Sequence, residues 1–425
     1  MLSFSTATLV SELELSSTAA FCTIVFLCLF SSAFPAYFGT FGHKLGLRQM
    51  IHARFSWGSF APILALLNAV SLCGYTILNC ILGGQTLSAV SHNGSLTPTV
   101  GIVIISLVSV VISFMGIRVL HAFERWFWVP VLVCFCILIG LAGTGPSGLH
   151  FPEQEAKTTS TGVLTISSIV IGFLVSWSGI ASDMSSYLDP DNTPSWGLFG
   201  ATFLAFFLGS CPVFLLGASF ALSARDNAAW GEALATSNGA LFDLVMASRT
   251  GGFGKFITVL LGLSIIGNTV PSIYSFGLSM PAILPALRHL PRFIFPLVAI
   301  AIVIPLAIVG ATAFYNVLTN FTNVLAYWSA LFVATILVDH VVVRRADFST
   351  YDPKLWNQWS KLPIGLAAIG SSVLTLGVLV PSISQTWFTG PIAAKMGDLG
   401  FELGFVCCAV LYAPLRILER KVTGR

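Results

Sequence analysis

Long stretches of this chain carry no charged side chain. The segment from Phe55 to Ile117 contains no Asp, Glu, Lys or Arg, and its polar interruption lies at residues 91–95. A helix needs roughly 20 mostly apolar residues to cross the hydrocarbon core of a bilayer. The segment is therefore long enough for two membrane spans joined by a turn, and polar side chains inside such spans need a specific explanation.

Apolar runs of this length recur along the whole chain and predict eleven spans. They lie near residues 16–41, 57–88, 98–117, 126–145, 161–181, 194–222, 254–280, 293–312, 315–338, 362–383 and 399–415. Residues 1–11 are uncharged but short, and they are predicted to be the second half of a truncated first helix. We therefore expect an all-α polytopic membrane protein with a single transmembrane domain. Its parts are the partial first helix (1–11), helices 2–8 (16–280), helices 9–12 (293–415) and a tail (416–425).

The composition agrees with this class and excludes several others. The chain is 56% hydrophobic and 9% charged, whereas a soluble domain carries about 25% charged residues. A net charge of +3 is too small to suggest nucleic-acid binding. The nine cysteines form no CxxC or Cys/His pattern, so neither a disulfide framework nor a metal site is expected. No GxSxG, HExxH or Walker motif is present, which argues against an enzyme, a nucleotide-driven pump and a bound cofactor.

Lys and Arg residues are divided unevenly between the two faces of the predicted bundle. If the loop after residue 41 is cytoplasmic, five of the 20 basic residues face outward: Lys157, Arg225, Arg249, Lys255 and Lys395. Cytoplasmic loops carry the excess of basic residues. The C-terminus is therefore predicted to lie in the cytosol, and the glycosylation sequon Asn93-Gly94-Ser95 outside.

Two polar sites inside the spans suggest recognition of a flat ring. Tyr75 and Asn79 are four residues apart and share one helix face, and Trp177 lies deeper than an interfacial tryptophan needs to. Two aromatic rings and a carboxamide could stack on a heterocycle and hydrogen-bond its edge. The alternatives are an interhelical hydrogen bond from Asn79 and ordinary packing of Trp177.

Two further sites suggest a helix break and a proton carrier. Gly267, Asn268, Pro271 and Ser272 lie in the middle of one span. Proline removes a backbone donor, and unwound backbone at the midplane is how many transporters build their sites. A plain proline kink is the alternative. Glu124 lies at the inner end of another span, as either a surface ion-pair partner or a carboxylate that exchanges protons with the cytosol.

Several motifs together resemble the fungal purine-cytosine permeases, a family of nucleobase–cation symporters. The segment from Gly39 to Ser56 resembles the first internal loop of that family. The resemblance continues through residues 74–85, 177–183, 268–271, 327–340 and 387–398, and so covers most of the chain.

The resemblance implies two inverted five-helix repeats plus two C-terminal helices, and proton-coupled uptake of a nucleobase by alternating access in a fungal plasma membrane. It implies that Tyr75 and Trp177 stack on the base, and that Asn79, Asn268 and Ser272 contact its edge. Gly267 and Pro271 would lie in a broken helix. It further implies a contact from Ser5 of the first helix and a role for Glu124 in proton coupling.

Three departures from the family pattern bear on this expectation. Tyr75 stands where the family has tryptophan, and Ser272 stands where it has a second asparagine. The first half of the first helix is expected to be missing. The same fold could therefore carry another planar amide substrate, such as uracil, allantoin or a vitamin, or be a non-transporting paralogue or sensor. In the stretch 263–267 only Ser264 offers a hydroxyl, which favours a proton over sodium.

Overall fold

The computed structural model describes residues 1–91, 95–144, 148–150 and 156–425, and these residues are mostly α-helical. The helices are α1 (Leu2–Thr8), α2 (Ser17–Leu45), α3 (Gln49–His52), α4 (Arg54–Trp57), α5 (Ala61–Ala89), α6 (Pro98–Phe114), α7 (Ile117–Ala142), α8 (Ser160–Val175), α9 (Ala181–Ser185), α10 (Ser195–Ser223), α11 (Ala228–Thr236), α12 (Asn238–Thr250), α13 (Gly252–Ser264), α14 (Ile266–Ile283), α15 (Ile294–Gly310), α16 (Phe314–Val338), α17 (Leu366–Leu379), α18 (Ala393–Met396) and α19 (Gly400–Thr423). A short antiparallel hairpin is formed by β1 (Ser384–Gln385) and β2 (Phe388–Thr389). Asn93 and Gly94 of the predicted sequon lie outside the described residues.

The helices have the length and apolar character that a bilayer demands. Among the described residues, eight continuous helical runs are long and apolar enough to cross a membrane, and one of them, Ile294–Val343, contains both α15 and α16. Shorter apolar runs cover Pro98–Phe114 and Leu366–Ser382. Since a helix satisfies its own backbone donors and acceptors, it is the element that apolar surroundings permit. The expected all-α multi-pass membrane protein is confirmed, while the number of spans stays a prediction.

Three helices of the first half of the chain pack on their counterparts in the second half. The first half supplies α1, α2, α5, α6 and α7, and the second supplies α8, α10, α14, α15 and α16. Contacts join α2 with α10, α5 with α14, and α6 with α15. These are the second, third and fourth helices of each half, an arrangement expected of two structural repeats. Helices α17 and α19 follow as a packed pair.

The start of one helix differs from the sequence prediction. Helix α7 begins at Ile117, nine residues before the predicted span at 126, so that Glu124 lies within a helix. Hydropathy marks the thickness of the apolar layer, and a helix continues past it where water can solvate charged side chains.

A buried ionic cluster holds one end of the bundle together. Asp339, at the end of α16, accepts a hydrogen bond from Arg344 Nε at 2.7 Å. Its other carboxylate oxygen accepts from Arg416 Nε at 3.2 Å and from the Tyr412 hydroxyl at 3.1 Å. The Asp339 side chain is fully buried and Arg416 nearly so. A buried charge is tolerated only when it is paired and hydrogen-bonded, so this cluster ties α16 to α19.

The cluster also reaches the start of α17 and helix α4. Arg416 Nη1 donates to Glu419 at 3.1 Å, and Glu419 Oε1 accepts from the backbone N–H of Gly365 at 2.8 Å. Arg344 Nη2 donates to the carbonyl oxygen of Phe55 at 3.2 Å. One carboxylate, that of Asp339, is therefore the centre of contacts that join four segments.

We predict that Asp339→Ala destabilises the protein by about 3–5 kcal/mol, because it removes the counter-charge of Arg344 and one of the two counter-charges of the buried Arg416. The apparent melting temperature of the detergent-purified protein measures the effect. Asp347→Ala is the matched control, since Asp347 is exposed and lies in the loop after the same helix. Equal melting temperatures for the two variants would contradict a stabilising role of the cluster.

Candidate functional site

A small hollow lies where α5, α14 and the segment after α8 meet. Its lining consists of Asn68, Ser71, Leu72, Tyr75, Ser176, Trp177, Ile180 and Ser272. Its volume is about 10 Å3, roughly the space that one water molecule needs. The hollow thus brings together three of the side chains proposed from the sequence, in a closed arrangement with no room for a ring.

Tyr75 is held rigidly at the wall of this hollow. Its hydroxyl lies 2.8 Å from Ser176 Oγ and donates to the carbonyl oxygen of Phe173 at 3.1 Å. Its ring meets Phe173 and Phe321 edge to face, with centroids 6.0 Å and 5.4 Å apart. Buried aromatic pairs favour this geometry. The side chain therefore has one fixed orientation, and its hydroxyl links α5 to the end of α8.

Trp177 lies on a break between two helices. Helix α8 ends at Val175, a 3-10 turn covers Ser176–Gly179, and α9 begins at Ala181. Serine and glycine are weaker helix formers than alanine, which suits an interruption here. A Cβ added to Gly179 would lie 2.5 Å from Asn68 Oδ1, so glycine permits the close approach of α5. The Trp177 ring meets Phe206 of α10 at 5.8 Å.

The two predicted carboxamides bond to each other rather than face the hollow. Asn268 Nδ2 donates to Asn79 Oδ1 at 3.2 Å, and Asn79 is fully buried. Asn79 lies one turn from Tyr75 on α5, and Asn268 lies one turn from Ser272 on α14. The amide pair therefore forms the next layer beyond the hollow. Within the described residues, Asn79 Nδ2 has no hydrogen-bond partner.

Ser272 lines the hollow, and its hydroxyl proton is used within its own helix. Its Oγ donates to the carbonyl oxygen of Asn268 at 3.0 Å. Ser71, also in the lining, donates in the same way to Leu67 at 2.8 Å. A hydroxyl that donates to its own helix keeps lone pairs for a second partner. These two walls of the hollow therefore offer hydrogen-bond acceptors.

The span that contains Gly267 and Pro271 is interrupted at Ile265, two residues before Gly267. Helix α13 ends at Ser264, and α14 resumes at Ile266 and continues through Pro271 to Ile283. The amides of Asn268 and Thr269 both bond to Ile265 O at 3.0 Å. Proline removes one donor but has a helical φ, so the backbone stays helical. The interruption is one residue, Ile265, and the larger break is the one that carries Trp177.

Glu124 lies in a second, wider cavity of about 660 Å3, which Trp177, Gly267 and Pro271 also line. The Trp177 side chain therefore belongs to both cavities. The ion-pair partner of Glu124 is His121, whose Nδ1 lies 3.7 Å from Glu124 Oε2. A Cβ added to Gly267 would lie 3.0 Å from the Phe127 ring, so this glycine permits close packing of α14 on α7.

Ser5 is not brought to the hollow. It lies in α1, its side chain is fully buried, and within the described residues its hydroxyl has no partner. Helix α1 packs mainly on α10. The structure therefore separates Ser5 from the side chains with which it was grouped.

Asn68 is a lining residue that the sequence argument overlooked. It is buried, and its Nδ2 donates to Ser279 Oγ of α14 at 3.2 Å. Asn68 and Ser71 lie seven and four residues before Tyr75, and these spacings place all three on one helix face. Extending the Tyr75–Asn79 stripe backward by two turns would have found both.

Comparison with known proteins gives the same architecture and a family. Residues 1–404 match the family model described as "Permease for cytosine/purines, uracil, thiamine, allantoin". The purine-cytosine permease fcyB of Emericella nidulans is 34% identical over 421 residues, which cover 98% of this chain and 82% of that protein. The purine-cytosine permease FCY2 of Saccharomyces cerevisiae is 31% identical over 417 residues, covering 95% and 77%.

A solved structure shares the fold. Mhp1, a nucleobase-cation-symport-1 family transporter solved in a closed conformation with bromovinylhydantoin bound, aligns with a TM-score of 0.73. The sequence identity is 17%, and the alignment covers 99% of this chain and 89% of Mhp1. The fold is therefore that of a membrane transporter. By its family match and its fungal relatives, this chain belongs to the family of permeases for cytosine/purines, uracil, thiamine and allantoin.

Proposed function

We propose that this chain is a secondary active transporter that imports a purine or cytosine nucleobase together with a proton. The observation that carries the proposal is the hollow that Tyr75 and Trp177 share. Two aromatic rings at one hollow can enclose a planar substrate once the hollow opens. The named relatives are purine-cytosine permeases, which supports a base as the guest. A plasma-membrane location with a cytosolic C-terminus is part of the same proposal.

Opening of the hollow is the central conformational step of this proposal. Its present volume of about 10 Å3 admits no base, so binding requires the α5–α14 pair and the Trp177 segment to separate. Alternating access moves one group of helices against another around a fixed site. Trp177 lies where these groups meet, and the wide cavity on its other side provides the space that a released substrate needs.

The polar walls indicate which edge of a base would be recognised. Ser71 and Ser272 offer acceptor oxygens, while the Asn79–Asn268 pair offers amide groups in the next layer. A base that presents N–H donors would pair with the serine oxygens. In this proposal Glu124 carries the coupling proton, because its carboxylate faces the cavity that Trp177 borders. No catalytic or cofactor chemistry is required of any of these residues.

We predict that Trp177→Ala raises the apparent KM for base uptake by about 5- to 150-fold, because base–aromatic stacking is typically worth about 1–3 kcal/mol. Uptake of labelled cytosine, adenine, guanine and hypoxanthine would be measured in a host without its own base permeases, with surface expression quantified. Trp196→Ala is the matched control, since Trp196 is 81% exposed. Normal uptake by Trp177→Ala would exclude the sandwich.

The same uptake panel distinguishes between candidate substrates, and between a transporter and a protein that does not transport. Competition by unlabelled uracil, allantoin and thiamine in place of the purines and cytosine would assign another planar substrate to the same site. No uptake of any of these compounds by the unmodified, surface-expressed protein would favour a sensor or a non-transporting paralogue.

We predict that Asn79→Leu raises the apparent KM by a similar factor, since in this proposal it removes an amide that contacts the base and leaves the half-buried Asn268 amide without its partner, a loss typically worth about 1–3 kcal/mol. Thr76→Val is the control: Thr76 is buried on the same helix, and its hydroxyl donates to Leu72 O. If both variants changed uptake equally, the effect would reflect helix stability and not recognition by the amide.

We predict that Glu124→Gln abolishes concentrative uptake and its dependence on external pH, while exchange of labelled for unlabelled base persists. A neutral amide keeps the shape of the side chain but cannot carry a proton. Asp191→Asn, in the exposed loop after α9, is the control. Uptake by the unmodified protein should survive replacement of sodium by choline. A strict sodium requirement, or full pH dependence in Glu124→Gln, would contradict proton coupling through this residue.

A further inference from the structure

A basic cavity lies away from the candidate site, where the α14–α15 connection approaches the ends of α2 and α6. Its volume is about 450 Å3, and Arg48, Arg288 and Arg292 line it. In the part of the chain that the structure describes, none of the three forms an ion pair with a carboxylate. We call this space the arginine cavity. Its three guanidinium groups create a positive potential that an anion would neutralise.

Asp183, the acid that acts electrostatically on Arg48, does not remove this charge. Its carboxylate is buried, with one oxygen accepting a hydrogen bond from Gln49 N at 3.0 Å, and it does not line the cavity. Arg288 and Arg292 are exposed. Arg288 Nε lies 3.2 Å from His289 Nε2, a neutral or positive group. The arginine cavity therefore remains basic.

One wall of the arginine cavity is apolar and uncovered. Phe114 at the end of α6 is 43% exposed, and Phe293 just before α15 is 56% exposed. Leu290 lines the same space. Exposed aromatic and aliphatic side chains beside arginines are typical of the boundary between headgroups and acyl chains. A small inorganic anion would not be stabilised by this apolar wall. A phospholipid would pair its headgroup with the arginines and its acyl chains with the wall.

A phenol donor is also available. The hydroxyls of Tyr187 and Tyr274, both in the lining, lie 2.9 Å apart. Each hydroxyl carries one proton, and a hydrogen bond between two hydroxyls uses only one of them. The second proton can be donated to an oxygen inside the cavity. The arginine cavity thus combines three cations, a hydroxyl donor and an apolar flank.

The arginine cavity lies at the end of the bundle that is expected to face the cytoplasmic leaflet. Arg48 follows α2, and Arg288 and Arg292 follow α14, so all three lie at the end of the bundle that carries most Lys and Arg. That end is expected to be cytoplasmic. The cytoplasmic leaflet contains the anionic lipids, and basic pockets between helices on that side bind their headgroups.

We propose that the arginine cavity binds the headgroup phosphate of an anionic phospholipid, whose acyl chains lie along Phe114 and Phe293. The lipid would bridge the α14–α15 connection and the loop after α2. That loop continues into Gln49, whose side chain accepts a hydrogen bond from Ser182 near the Trp177 break. Bound lipid would therefore brace the segments that flank the break, and this role does not depend on the identity of the transported substrate.

The experiment compares lipid binding by the full chain and its variants in detergent. Phosphatidylserine is titrated into the purified protein, and binding is followed by native mass spectrometry and by the apparent melting temperature. Each basic residue near a membrane surface contributes about fivefold in affinity, so Arg288→Gln with Arg292→Gln should weaken binding by about 25-fold. Arg420→Gln with Lys421→Gln, exposed at the end of α19, is the matched control and should bind as the unmodified protein does.

Three results would overturn the proposal. The first is unchanged binding by the double arginine variant. The second is equal binding of neutral phosphatidylcholine, and the third is displacement of phosphatidylserine by millimolar inorganic phosphate, which would assign the cavity to a free anion. If the double variant aggregates, Phe293→Ser is tested in its place. Weaker retention of phosphatidylserine by Phe293→Ser supports the lipid proposal, and unchanged retention overturns the proposal.

Discussion

The hydrogen bond from the Tyr75 hydroxyl to the carbonyl oxygen of Phe173 is the contact on which the candidate site depends. The last carbonyl groups of a helix lack partners within it, and α8 ends deep in the protein, where water cannot replace them. Tyr75 from the neighbouring repeat supplies a donor to this oxygen, beside the Ser176 hydroxyl, which donates to it at 3.2 Å. The Tyr75 hydroxyl therefore adds a specific bond that holds the Trp177 break against α5.

The pairing of the two repeats explains why the site forms between them. Helices α5 and α14 carry Tyr75, Ser272 and the amide pair, and they pack on each other as the third helices of their repeats. Helices α2, α8 and α16 contact the Trp177 segment, and α10 reaches the indole through Phe206. Since each group has its own internal contacts, each can move as a unit. A hollow lined by both groups opens or closes with the distance between them, which a site within one group would not do.

The sequence was sufficient for the class of fold but not for the details of the site. Apolar runs located the long helices because a bilayer imposes their length. The start of α7 was missed because charged residues such as Glu124 are compatible with a helix that extends beyond the apolar layer. A break in the span over 254–280 was assigned to Gly267 and Pro271 on residue type; this span is interrupted at Ile265, α14 accommodates its proline, and a longer break after Val175 lies in another span. Asn68 was overlooked because its role depends on Gly179, more than a hundred residues away, which lets the two backbones approach.

The position of Trp177 between two cavities gives a physical reason for the closed state. On one side is a hollow with room for about one water molecule, and on the other a cavity of about 660 Å3. The indole separates them and is anchored on a short 3-10 segment, Ser176–Gly179. A short 3-10 segment between two helices can change its dihedral angles without disturbing either helix, which is the usual property of a hinge. Rotation there would move the indole and join the two spaces, while the ionic cluster around Asp339 keeps the far end of α16 fixed. One aromatic wall on a short connecting segment, set in a frame of packed helices, is compatible with the alternating access that we propose.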